Sequence, residues 1–143
     1  AATLQVLGAY AITLPGDTYI CIDDTLVSRY NYHRKLLIMY DLGFIENNLA
    51  SQYSIPVQGE GIVLKAGHYI LVNNCPTSKK VSISMQRFTK TGKEFLRFVD
   101  TNDSYMLSLL KLIKQKNPNI PLSVHRIISE SNGRISFEKE DVL

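Results

Sequence analysis

The spacing of apolar residues changes twice along this chain of 143 residues, and these changes limit the folds that it can adopt. From Leu26 to Leu42 apolar side chains recur every three or four residues, as in a helix with one buried face. From Gln52 to Phe88 they alternate with polar residues, as in strands that bury one face. Helical spacing returns from Thr89 to Lys116. The chain therefore predicts an α+β fold.

Turn and capping residues divide this pattern into elements. Gly43 ends a predicted helix, and Ser131-Asn132-Gly133 is a hairpin turn. Thr18 to Ile22 is β-rich and predicts a short strand. We expect helices near residues 1–12, 26–42, 89–99 and 104–116, an antiparallel meander over 52–88, and a C-terminal hairpin over 121–138.

Alternation within the meander predicts which side chains are buried. Ala66-Gly67 joins two strands, Gly61 to Lys65 and His68 to Val72, in a tight hairpin. In the strand from Val81 to Phe88, one set of side chains faces inward (Val81, Ile83, Met85) and the other outward (Ser82, Ser84, Gln86). The predicted core is Leu7, Ile22, Leu36, Leu37, Tyr40, Ile45, Leu64, Ile83, Met85, Phe95, Leu96, Leu109 and Leu112.

Composition excludes several classes of protein. Hydrophobic residues make up 45% of the chain and charged residues 20%, which excludes collagen, a coiled coil and intrinsic disorder. No run of 18 apolar residues is present to span a membrane. The length suits one domain. A net charge of +3 permits a nucleic-acid partner without requiring one.

The cysteines bear on the cellular setting of the protein, and the first residue bears on whether the sequence is part of a longer chain. Cys21 and Cys75 are the two cysteines, too few for a disulfide framework, so we expect a reducing, cytoplasmic setting. Cys21, between two isoleucines, is expected to be a small buried hydrophobe. The chain begins at Ala1 in an apolar stretch without a signal-peptide pattern. We expect a single domain that is the C-terminal part of a longer protein.

Two segments carry the most information when they are considered together. The first, Leu36 to Ile45, ends a helix at Gly43 and then turns toward the sheet. The second, Phe88 to Leu96, leads from a strand into a helix capped by Thr89, where Gly92 allows close packing. Their order resembles the winged-helix group, in which L-x-x-L-G-L-I is followed by L-T-x-x-G-x-x-L. Phe44 stands where the first motif has Leu.

A second resemblance covers residues 1 to about 116. The chain resembles the C-terminal region of a bacterial family described as a domain of unknown function. The residues that carry this resemblance are Thr89, Gly92, Glu94 and Leu96. The resemblance implies a winged-helix-like core over about 1–116, with the hairpin at 121–138 as an addition. It implies no activity, cofactor or catalytic residue.

Two functions are compatible with these patterns. A winged helix would place Arg29, Asn31, Arg34 and Lys35 in the major groove of DNA and Lys79 and Lys80 on phosphates. Tyr30, Tyr32 and Tyr40 on the same helix instead favour contact with protein, because aromatic residues are enriched at interfaces. We expect a non-catalytic module for protein docking or self-association, with DNA binding as the alternative.

Catalytic and metal-binding patterns are weak. Asp23 and Asp24 could form a metal site with Asp41 or His33, but adjacent cap residues diverge and capping accounts for both. The three histidines His33, His68 and His125 lie on separate elements and are expected to be partly exposed. No phosphate-binding or nucleophile-elbow motif is present, and Cys75 has no basic partner nearby in sequence except Lys79 and Lys80. We expect no catalytic residues, no metal and no cofactor.

Overall fold

A computed structural model describes residues 11–14, 17–21, 32–46, 52–56, 61–74 and 80–143. In these residues eight antiparallel strands form one sheet, in the order β3-β6-β2-β1-β4-β5-β7-β8. The strands are β1 (Ala11–Leu14), β2 (Asp17–Cys21), β3 (Gln52–Pro56), β4 (Gly61–Ala66), β5 (Tyr69–Asn73), β6 (Lys80–Arg87), β7 (Leu122–Ser131) and β8 (Arg134–Phe137). The class is therefore α+β, with strands predominating.

Three helices flank the sheet in the described residues: α1 (Tyr32–Asp41), α2 (Lys90–Leu96) and α3 (Asp103–Lys116). The side chain of Asn102 caps α3 by accepting a hydrogen bond from the Tyr105 N–H at 3.1 Å. Helix α3 buries Met106, Leu109, Leu110 and Ile113. These side chains join one core cluster with residues of strands β1, β2, β4, β5, β6 and β7.

Several local predictions are confirmed. The tight hairpin of β4 and β5 is confirmed, although its two-residue turn is Gly67-His68, one residue later than predicted. Asn132-Gly133 forms another turn, with positive φ at both positions (51° and 76°). Gly43 ends α1 with φ of 74°. Val81, Ile83 and Met85 are buried, whereas Ser82 is exposed and Ser84 half-buried. Cys21 is buried as expected.

The predicted helix over 1–12 is wrong at its end, because Ala11 and Ile12 lie in strand β1. Residues 1–10 lie outside the described part of the chain. Strand β1 pairs with β2 from Leu14↔Asp17 to Ala11↔Ile20, and β2 pairs in turn with β6. Ile12 is fully buried. Its β-branched side chain packs well in a strand, and sheet pairing overrides the helical spacing.

The prediction of an antiparallel meander over 52–88 is also wrong, although the strands themselves are present. Strand β3 pairs with β6, while β4 pairs with β5 and β1. The hairpin β1–β2 lies between the two halves of the supposed meander. Each strand could be predicted locally, but its neighbour depends on contacts between residues far apart in sequence.

The predicted burial pattern needs three kinds of correction. Leu37 and Phe95 are exposed instead of buried, and Tyr40, Leu96 and Leu112 are only half-buried. Gln86, predicted to face outward, has only 1% of its surface exposed, whereas Ser82 and Ser84 on the same face of β6 are exposed and half-buried. Leu7 and Ile22 lie outside the described residues. The remaining predicted core residues, Leu36, Ile45, Leu64, Ile83, Met85 and Leu109, are buried.

Candidate functional site

The two motifs singled out in the sequence meet in space at Thr89. Its N–H donates to the Phe44 carbonyl at 2.9 Å, and its hydroxyl donates to the Gly43 carbonyl. The same hydroxyl caps α2 by accepting from the Gly92 N–H at 3.1 Å. One side chain thus joins the end of α1 to the start of α2.

Gly92 allows this junction to be close. A Cβ at this position would lie 2.0 Å from the carbonyl oxygen of Phe44, far inside any real contact. Phe44 and Phe95 also stack with ring centroids 4.7 Å apart, and Ile45 forms a β-bridge with Phe88. The expectation that the two motifs belong together, with Gly92 permitting close packing, is confirmed.

This junction carries an exposed group of large apolar side chains, which we call the α1–α2 apolar surface. Leu42 has 56% of its surface exposed and Phe98 has 84%. Leu37, Ile38 and Phe95 complete the surface. Leu42 lies just after α1, where its N–H donates to the Ile38 carbonyl at 3.0 Å, and Phe95 links this end of α1 to α2 through its contact with Phe44. Clustered exposed hydrophobes are characteristic of interaction sites.

Next to α2, Asp17 is the centre of an ion-pair cluster. It contacts Lys93 Nζ at 3.1 Å through Oδ1 and Arg87 Nε at 3.1 Å through Oδ2, the latter without hydrogen-bond alignment. Oδ1 also accepts from the Thr18 N–H at 2.9 Å. Burial acts to raise the pKa of Asp17, but Thr18, Lys93 and Arg87 outweigh it and lower the pKa. Lys93 and Arg87 therefore share one carboxylate, and the cluster keeps a net charge of +1.

Two clefts lie on either side of Lys65. One, of about 420 Å³, lies between α2 and strands β1, β2 and β4 and is lined by Thr13, Thr18, Lys93 and Arg97. The other, of about 600 Å³, lies between β1, β4 and the β7–β8 hairpin. Lys65 lines both and is paired with Glu130. In the first cleft Arg97 contacts Glu94 at 3.5 Å and Lys93 contacts Asp17. The basic side chains that line this cleft are therefore paired with carboxylates of the protein.

A buried polar network lies on β7. His125 Nδ1 is 2.9 Å from the Glu138 carbonyl, which can only accept, so Nδ1 carries the proton. In the neutral imidazole Nε2 then accepts from the Ser123 hydroxyl at 2.7 Å, and Asn74 Nδ2 donates to that hydroxyl oxygen at 2.7 Å. His125 is 7% exposed, so the expectation that it is partly exposed is wrong. Burial occurs because the C-terminal residues pack alongside β7.

The Ser123–His125 pair has the distance of a nucleophile and its base, but its surroundings favour a structural role. Ser123 is only 6% exposed, and neither of the two clefts is lined by Ser123 or His125. The network instead holds the C-terminal residues on β7. Asp141 assists by accepting from the Val124 N–H at 3.0 Å. Burial acts to raise the pKa of Asp141, but the N–H groups of Val124 and Leu143 and the Lys114 ammonium lower it.

The predicted DNA-contacting residues are described only in part. Arg34 is exposed and Lys35 half-buried on α1, and Lys80 is exposed at the start of β6. Arg29, Asn31 and Lys79 lie outside the described residues. The charged positions of α1 share that helix with exposed Leu37 and Ile38.

The candidate metal ligands are scattered in the part that the structure covers. Asp41 is exposed, and His68 pairs with Asp103 at 2.9 Å. Asp23, Asp24, Cys75 and the His33 side chain lie outside the described residues. No group of three His, Cys, Asp or Glu side chains suited to a metal ion occurs among the residues that are described.

Sequence reasoning missed Phe98 and misplaced Leu37 and Phe95. Phe98 lies just after α2, in a stretch predicted to remain helical to Val99. The shortness of α2, seven residues, leaves Phe98 beyond its end. The sequence did contain an indication that these side chains would be exposed, because charged residues flank Phe95 and Phe98 on both sides (Lys93, Glu94, Arg97, Asp100).

Comparisons of the sequence with protein-family models, with curated proteins and with solved structures find no match. Across the described residues, none of the helices is long and apolar enough to cross a membrane.

Proposed function

We propose that this chain is a non-catalytic protein-interaction module that docks through the α1–α2 apolar surface. The observation that supports the proposal is the 84% exposure of Phe98, three residues after Phe95, whose ring lies 4.7 Å from that of Phe44 at the end of α1. Leaving such side chains in water forgoes about 1.5–3 kcal/mol each that burial would contribute. A partner that covers them recovers part of this free energy, and aromatic residues are enriched at interfaces.

The rigidity of the junction also supports docking. Thr89, Gly92 and the Phe44–Phe95 contact hold α1 and α2 in one arrangement, so the apolar side chains are presented together. A preorganised surface loses less conformational entropy when it binds.

The competing function is a winged-helix-like DNA-binding domain that uses Arg34, Lys35 and Lys80 with Arg29, Asn31 and Lys79. Exposed Leu37 and Ile38 weigh against it, because apolar side chains on the reading helix do not contact phosphates. Asp17, shared by Lys93 and Arg87, offsets one of these two positive charges and so weakens any phosphate-binding stripe that includes them.

The direct test places a photo-crosslinking phenylalanine analogue at position 98 in cells that produce the protein. The analogue keeps an aromatic ring where Phe98 stands, so docking should persist and the partner should become covalently attached. The same analogue at Lys111, an exposed position on α3, is the matched control. With the crosslinked partner purified, Phe98→Gln should raise the Kd at least about tenfold, whereas Lys111→Gln should not change it.

Two results would contradict the proposal. One is crosslinking at position 98 that is no greater than at position 111. The other is micromolar binding to duplex DNA that weakens with salt on a log–log slope of about −3 to −4, as roughly four phosphate contacts require. Loss of that binding in Arg34→Glu/Lys35→Glu, with folding intact, would assign the module to nucleic acid.

A further inference from the structure

Strand β8 has an open edge. It is the last strand of the sheet and pairs only with β7 in the part of the chain that the structure describes. Arg134, Ser136 and Glu138 are exposed, while Ile135 and Phe137 are half-buried. An exposed strand edge offers unpaired backbone groups to another strand.

The register identifies which backbone groups are available. Arg134 pairs with Ser131 across the two-residue turn, so its N–H and C=O point toward β7. Further along the chain, the Glu138 N–H donates inward to the Arg126 carbonyl at 2.9 Å. Strand alternation therefore directs the N–H and C=O groups of Ile135 and Phe137 to the open side.

The five residues Arg134-Ile135-Ser136-Phe137-Glu138 are complementary to themselves when antiparallel. If two copies pair about Ser136, Ile135 of each lies opposite Phe137 of the other, and these are the residues whose backbone groups point outward. Arg134 of each copy then lies opposite Glu138 of the other. Within the described chain, neither Arg134 nor Glu138 has an ion-pair partner.

We propose that β8 pairs with β8 of a second copy of this chain, forming a symmetric dimer with one continuous sheet. Such pairing makes four backbone hydrogen bonds, two apolar cross-strand pairs and two opposite-charge pairs. The interface is isologous, as in most protein dimers. This inference does not depend on docking through the α1–α2 apolar surface, because it uses a different part of the molecule.

The test is a charge exchange followed by sedimentation velocity over a range of protein concentrations. The Arg134→Glu variant carries negative charge at both facing positions, and Glu138→Arg carries positive charge at both. Each variant alone should dimerise about tenfold more weakly than the original chain, because attraction becomes repulsion in two pairs. Mixing the two variants restores both opposite-charge pairs, so a heterodimer should form. The double exchange Arg134→Glu/Glu138→Arg should also restore the dimer.

Amide hydrogen exchange supplies a second readout. The N–H groups of Ile135 and Phe137 should exchange more slowly at higher protein concentration, whereas those of Arg134 and Glu138 are already bonded inward and should change little. A chain that stays monomeric at all concentrations would overturn the proposal. So would a dimer that both single charge changes leave intact. Phe98→Gln should leave this dimer unchanged, which separates this interface from the proposed docking surface.

Discussion

The carbonyl oxygen of Phe44 occupies the place where the side chain of residue 92 would begin. A Cβ on Gly92 would lie 2.0 Å from that oxygen and 2.9 Å from its carbon. Because the obstacle is backbone held by the Thr89 N–H, it cannot rotate away as a flexible side chain could. The contact between α1 and α2 therefore requires glycine at this position.

Gly92→Ala should destabilise the protein by about 2–3 kcal/mol, the usual cost of forcing extra volume into a packed site. Helix propensity alone predicts the opposite sign, since Ala favours a helix over Gly by about 1 kcal/mol. The free energy of unfolding measured in urea distinguishes these two expectations. Thr91→Ala, at the exposed neighbouring position, is the control and should change stability by less than about 0.5 kcal/mol. A more stable Gly92→Ala variant would show that the junction is not close-packed.

Thr89→Ala should cost about 1–2 kcal/mol, because the Gly92 N–H loses its cap and the Gly43 carbonyl loses a donor. Thr89→Ser keeps the hydroxyl and should retain most of the stability. Chemical unfolding of the two variants in parallel is the measurement. Equal loss in both would mean that the hydroxyl contacts do not stabilise the junction.

Asp17→Asn should reduce stability by about 1 kcal/mol at neutral pH, since the ion-pair cluster is partly exposed to solvent. The folded-state pKa of Asp17 is lowered, so the carboxylate stabilises the fold above its unfolded pKa of about 3.9. That contribution is lost as pH falls through the folded pKa. Unfolding free energies of the original chain and the variant should therefore stay apart above about pH 5, begin to converge near pH 4 and meet only below the lowered pKa of Asp17. A constant difference down to acid unfolding would contradict this account.

Ser123→Ala should cost about 2 kcal/mol, because it leaves His125 Nε2 and Asn74 Nδ2 without their partner in the network. Ser129→Ala, at an exposed position on the same strand, should change stability little. Nitrogen NMR of His125 tests the assignment directly, with the proton expected on Nδ1. A proton on Nε2 would contradict the direction of the network.

Much of the local structure could be predicted from the sequence because it depends on neighbouring residues. Asn132-Gly133 adopts the left-handed backbone that its turn requires, and Gly43 does so at the end of α1. The alternation of Val81, Ile83 and Met85 set the buried face of β6. The order of Gly43, Thr89 and Gly92 in the sequence, through its resemblance to a known motif order, also predicted that they belong to one arrangement.

Tertiary structure alone decided which strands are neighbours and which apolar side chains reach water. Ile12 entered a strand because β2 and β4 were available to pair with β1, a contact that no local spacing encodes. Leu37 and Phe95 have helical spacing, but 40% and 36% of their surfaces remain exposed in the described chain, although Phe95 packs on Phe44. His125 is buried because Glu138, 13 residues later, packs against it. Free energy from pairing between distant residues outweighs local preference, and that contribution becomes visible only in the folded chain.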